Sequence, residues 1–257
     1  MINLNALLRL LIRDIRGSVG MSPYLVLSQL VSPLVYIFIA GFMYSGIVKG
    51  IEIDGVTVSY VLFLAPGIVV SQFMLGASYA GSMVWFDKRM GMLEQILAGP
   101  FSRAQYVTSK LLSVTMQGVA NALLVFLIAL PVLAGASLSP SGLPLVLGSL
   151  ILGSLFFGSL MLAISTRIKS DQSLNMMFNT VFAPLMFLSS VFYPLDVAPP
   201  VLRILALCNP LTYSVDMIRA GLLGISTSYL PYEIVVLSAE SIGMLLVAVH
   251  AFRGVKV

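Results

Sequence analysis

Across 257 residues the chain carries 59% apolar and only 9% charged side chains, more apolar surface than one soluble core of this size could bury, which excludes a soluble enzyme or binding domain. The formal charge of +4 comes without a basic stripe interleaved with aromatics, so nucleic acid is not an expected partner, and one cysteine with one histidine excludes an intrachain disulfide and a Cys/His metal site. The composition is that of an all-α integral membrane protein forming a single transmembrane domain over residues 1–257.

The first segment, residues 1–20, places Leu4, Leu7, Leu8, Leu11, Ile12 and Ile15 on one helical face and Arg9, Arg13 and Arg16 on another. That pattern predicts an amphipathic helix lying in the membrane interface with its arginines toward anionic headgroups. The same arginines interrupt the apolar core that a cleaved signal peptide would need. A first span is expected from Leu25 to Ile47, kinked at Ser32-Pro33. After a polar loop from Lys49 to Asp54, a second span fills the uncharged run from Gly55 to Phe86, long enough for its ends to project beyond the hydrocarbon.

Residues 87–110 break the pattern with six of the 24 charged side chains, between two long uncharged segments. A polar insert held between two spans should lie in water, and its excess of Lys88, Arg89, Arg103 and Lys110 over Asp87 and Glu94 places it in the cytoplasm. Met90 to Ala98 form a short helix that Gly99-Pro100 must end, and Ser102 caps the helix running through Lys110 into the third span. A short helix followed by a sharp turn suits docking into a cleft on a soluble partner. Equally, the charges of such a connector can simply be solvated.

The third span covers Leu111 to Leu133, and an uncharged turn, Ala134 to Pro144, leads to a fourth from Leu145 to Thr166. Arg167, Lys169 and Asp171 mark a second cytoplasmic turn before a fifth span from Leu174 to Ser190. Residues 191–224 mix apolar residues with four prolines and four charges, which fits two short helices better than a span. One covers Val201 to Leu207. The other is capped by Asn209, begins at Pro210 and stops at Gly224, and the pair is expected to dip into the outer leaflet as a re-entrant hairpin. A sixth span from Tyr232 to Phe252 ends at Arg253 and Lys256. This layout puts eleven of the 14 basic residues on one side, which makes that side cytoplasmic and sets both termini there.

No G-x-x-x-x-G-K-[ST] run, no H-E-x-x-H and no Ser/His/Asp set is present, so no catalytic residue is expected. His250 reads as an interfacial residue and Cys208 as a packing one. Glu233 is near the outer end of the last span; Glu240, deeper on the same face, must be neutral, hydrogen-bonded or proton-coupled. Small residues four apart, Gly76/Ala80, Ala77/Gly81, Ser149/Gly153 and Ser154/Gly158, permit close helix approach within or between subunits.

The run Arg89-Met-Gly-Met-Leu93-Glu94-Gln-Ile-Leu-Ala-Gly-Pro100-Phe-Ser-Arg103, followed by Lys110-Leu-Leu, resembles the cytoplasmic segment of type-2 ABC transporter permeases. Asn209-Pro210-Leu-Thr-Tyr213, with Asp216, Arg219 and Gly224, is similar to that family's second motif, before its last span. The resemblance covers nearly the whole chain. It implies the membrane subunit of an ABC exporter in a prokaryotic inner membrane, dimerised over two copies of a separate ATPase subunit that carries ATP and Mg. The chain itself would hold no cofactor. Met90 to Ala98 would be the coupling helix, with Glu94 as its polar contact and Arg103 fixing the next turn. The resemblance also implies a path lined by the first and fifth spans: Gln29, Ser32, Tyr36 and Tyr44 on one, Asn175, Phe178, Asn179, Phe182, Met186 and Phe187 on the other. The cargo would be hydrophobic or amphipathic: a drug, a lipid or a lipid-linked glycan. An ion-gradient transporter or channel using Glu240 is the competing function, and a membrane scaffold a third.

Overall fold

The computed structural model describes residues 4–19, 31, 33–48, 50–53, 55–131, 142–168, 170–224 and 229–254. Helix α1, Leu4–Val19, is amphipathic as expected, but its two apolar edges do different things. Leu7 and Leu10 are buried against the bundle, whereas Leu8 and Ile12 are exposed. A helix so arranged can pack on protein with one edge and on lipid with the other.

Of the first expected span, Gln29 and Ser32 lie outside the described residues. The described part is α2, Val35–Ser45, whose first six residues are π-helical, just after Pro33. A proline has no N–H for the normal ladder, and a π-turn is one way a helix absorbs the loss. The stretch expected to be a polar loop and the start of the second span is instead an antiparallel β-hairpin. Strand β1, Ile51–Ile53, pairs with β2, Val56–Val58, around Gly55 at φ +80°. Helix α3 therefore starts at Tyr60, not Gly55, with the Ser59 hydroxyl accepting from the Leu62 amide, and continues to Arg89. Thirty residues rise about 45 Å, half as much again as the hydrocarbon core.

Gly91, at φ +66°, turns the chain into α4, Met92–Ala98, and Ser102 then caps α5, Arg103–Ala129. Here Ser102 and Gln105 form a reciprocal capping box. Helix α6, Leu143–Ser165, precedes α7, Asp171–Phe187, which is capped by Ser170. The two short helices expected from the prolines are α8, Pro200–Leu207, and α9, Pro210–Leu223, which meet at 84°. Gly224 stops α9 at φ +67°, and α10, Leu230–Arg253, completes the fold.

Among the described residues α5, α6 and α10 are each long and apolar enough to cross a bilayer, and the bent α8–α9 pair would make a fourth if taken as one span. The chain is thus a multi-pass, helical membrane protein that also carries one small hairpin of strands. Helix α6 is central, packing on α3, α5, α9 and α10. Several small residues close these contacts inside the chain: Gly76 faces Gly118 of α5, Gly158 faces Val114, and the Ser149 hydroxyl donates to the Ser214 carbonyl at 2.7 Å. The side chains of Ala77 and Ala80 lie outside the described residues.

Candidate functional site

Helix α4 is too short to be stable alone, so tertiary packing must hold it. Leu93 and Ile96 do so, buried in a cluster with Leu10 of α1, Val84 of α3, Tyr106 and Leu111 of α5 and Phe252 of α10. Its opposite edge, Met92, Glu94 and Gln95, is exposed, as is Met90 in the preceding turn. The helix is fixed from behind and open in front.

Behind it lies a charge network that joins three helices. Lys110 of α5, 1% exposed, places its ammonium 3.0 Å from Asp14 Oδ1 of α1 and 2.9 Å from Asp87 Oδ2 of α3. Arg13 bridges the same two carboxylates at 2.7 and 3.0 Å, and the Tyr106 hydroxyl donates to Asp87 at 2.7 Å. Burial alone would raise the Asp87 pKa, but Lys110, the Tyr106 hydrogen bond and Arg13 outweigh it and hold this carboxyl below its ordinary value. The expectation that the charged insert lies wholly in water is therefore corrected: Lys110 is fully buried and Asp87 largely so, because each meets opposite charge inside the bundle. Arg13, expected to face headgroups with Arg9 and Arg16, turns inward for the same reason.

The other residues of the insert sit around this joint. Lys88 donates to the Thr166 carbonyl at the end of α6 at 2.9 Å, and Arg89 lies 5.0 Å from the centre of the Trp85 ring. Arg103 donates to the Arg253 carbonyl at the end of α10 at 3.0 Å, so it ties α5 to α10. Pro100 is exposed in the turn after α4. Sequence reasoning missed Asp14. Its signal was an acid four residues after Leu10 and seven after Leu7, on the buried edge of an amphipathic helix.

At the opposite end of the bundle, Asn209, Pro210, Tyr213, Asp216 and Arg219 divide their contacts among neighbouring elements, and Tyr213, Asp216 and Arg219 share one cavity. The Asn209 carbonyl oxygen accepts from the Leu211 amide as a cap, while its amide donates to the Leu185 and Leu188 carbonyls, fastening the hairpin to the end of α7. Tyr213 donates to the Leu207 carbonyl, holding α8 against α9. Arg219, counted from sequence among the charges outside, is only 6% exposed. Its guanidinium donates to the carbonyls of Phe63, Ser190 and Val191, lies 3.1 Å from Asp216 and covers the Phe63 ring at 3.8 Å. A cavity of about 420 Å³ opens above it, walled by the β-hairpin, α8 and the start of α10.

The expected path residues separate. Tyr36, Tyr44, Asn179 and Phe187 are exposed and Met186 is half-buried, but Phe182 packs in the core against Phe157 at 5.7 Å. The side chains of Asn175 and Phe178 lie outside the described residues. A second cavity, about 620 Å³, lies between α6, α7 and α10, apolar except for Arg167 and Ser173. Glu240 Oε2 is buried with no hydrogen-bond partner among the described residues. His250 is exposed on the last turn of α10. Cys208, expected to pack, is exposed at the end of α8, because the chain turns there toward Asn209.

The sequence profile of the ABC-2 type transporter family matches residues 5–223. The chain is 25% identical over 199 residues to the transport permease ycf38 of Porphyra purpurea, covering 77% of this chain and 67% of that protein. It is 26% identical over 215 residues to nodulation protein J of Rhizobium leguminosarum bv. viciae, covering 77% and 75%.

Proposed function

The chain belongs to the ABC-2 type transporter family, and on that premise we propose that it is the membrane permease subunit of an ATP-driven exporter. It works as a homodimer over two copies of a separate ATPase subunit, which binds ATP and Mg and performs the hydrolysis. Six spans cross a prokaryotic inner membrane, both termini and α4 face the cytoplasm, and the α8–α9 hairpin faces outward. The excess of basic residues at the α4 end supports this orientation.

The observation that carries this reading is the mounting of α4. Leu93 and Ile96 anchor it, the Lys110 network fixes the helices on either side, and Glu94 and Gln95 are left outward. Motion of a closing ATPase dimer, received on that outward edge, passes to α3 and α5 as rigid bodies. A cargo that is hydrophobic or amphipathic, such as a drug, a lipid or a lipid-linked glycan, fits the exposed Tyr36, Tyr44 and Phe187 and the mainly apolar second cavity.

Transport in proteoliposomes that requires the ATPase subunit and is inhibited by vanadate tests the proposal. Glu94→Ala and Arg103→Ala should abolish it while the protein still inserts. The buried carboxyl oxygen of Glu240, without a hydrogen-bond partner among the described residues, favours a second reading, ion-gradient-driven transport. Uptake that persists without any ATPase and is lost in Glu240→Gln would select it.

A further inference from the structure

We propose that the cavity above Arg219 is a binding site for amphipathic organic cations. Its volume, about 420 Å³, falls in the range that small-molecule sites occupy, and its lining mixes apolar and aromatic side chains with charged ones. Four carboxylates face it, Glu52, Asp196, Asp216 and Glu233, against two guanidiniums.

The buried guanidinium, Arg219, is not available to an anion. Arg219 commits Nε and Nη2 to main-chain carbonyls and Nη1 to Asp216, whereas Arg203 is an exposed rim residue whose charge is offset by Asp196 at 3.7 Å. An anionic ligand would have to displace these bonds and also approach a net negative wall. A cation meets the opposite field. Tyr213, Tyr229 and Tyr232 supply rings to that wall, and Tyr229 and Tyr232 are 73% and 61% exposed. Aromatic faces beside carboxylates attract an onium group by both its charge and its apolar skin. Glu52 reaches the cavity from β1, so the hairpin that interrupts the helical pattern supplies one of its walls.

The inference concerns binding and does not depend on the direction or energy source of transport. Purified protein in lipid nanodiscs, without nucleotide, is titrated with tetraphenylphosphonium and, separately, with tetraphenylborate, an anion of the same size and shape. Saturable binding of the cation alone is expected, weakened about tenfold in Glu52→Gln and in Tyr232→Ala and unchanged in His250→Gln, on the last turn of α10 and outside the cavity lining. Both affected residues are exposed, and a wild-type melting temperature confirms that each variant folds. Saturable binding of the borate with equal affinity, an unchanged cation affinity in both variants, or no saturable cation binding overturns the assignment.

Discussion

Lys110 and Asp14 are 96 residues apart in the chain and 3.0 Å apart in the structure, each about 2% exposed at the side chain. Through that contact the first helix is joined to the helix that leaves the coupling turn. A cation so buried is tolerable only because two carboxylates surround it.

Removing Lys110 should therefore cost more than removing the pair. Lys110→Met leaves Asp14 buried with Arg13 alone and should destabilise the protein by about 3–5 kcal/mol. The double variant Asp14→Leu/Lys110→Met should recover most of that loss, because Arg13, Asp87 and Tyr106 still satisfy one another. Thermal unfolding of the purified protein, run as a double-mutant cycle, measures the coupling.

Acid should loosen the same joint. Asp87 has a folded pKa below its ordinary value, so its stabilising effect is fully present above the unfolded value, about 4, and is lost as pH falls through the lower folded value. Melting temperature should thus hold near neutrality and fall below about pH 4. Asp87→Asn should melt lower at pH 7 and show a shallower acid limb, since its side chain has no proton to gain.

Close backbone approach makes a third prediction. A Cβ on Gly221 of α9 would lie 2.7 Å from the Gly142 carbonyl oxygen at the start of α6 and 2.8 Å from Val146. Gly221→Ala should cost about 1–3 kcal/mol as the two helices are forced apart. Gly243→Ala on α10, whose Cβ would meet nothing within 4 Å among the described residues, should leave the melting temperature unchanged or slightly raised. The two melting curves, recorded side by side, check both.

What the sequence made legible was local chemistry. Ser102, Asn209 and Gly224 act within a few residues, and each caps or stops the helix it was expected to. Charge pairing was not legible in this way. Nothing near Lys110 indicated that its partners would come from positions 14 and 87, so its charge was assigned to water. The hairpin from Ile51 to Val58 was missed for another reason. Asp54-Gly55 between Ile-Glu-Ile and Val-Thr-Val is a hairpin signal, but an uncharged run beginning at Gly55 reads more strongly as the start of a span. Phe182 went to the path because the resemblance assigns the fifth span to it, which does not say which side chains turn inward; packing against Phe157 places it in the core.

The mounting of α4 is tested most directly by a photo-reactive amino acid placed singly at each position from 90 to 98 in cells making the whole transporter. Illumination should join positions 90, 92, 94 and 95 to the ATPase subunit and should not join 93 or 96, whose side chains point into the bundle. Failure of all nine positions to reach an ATP-hydrolysing chain, or labelling of position 94 by a membrane-impermeant reagent from outside, would contradict the account.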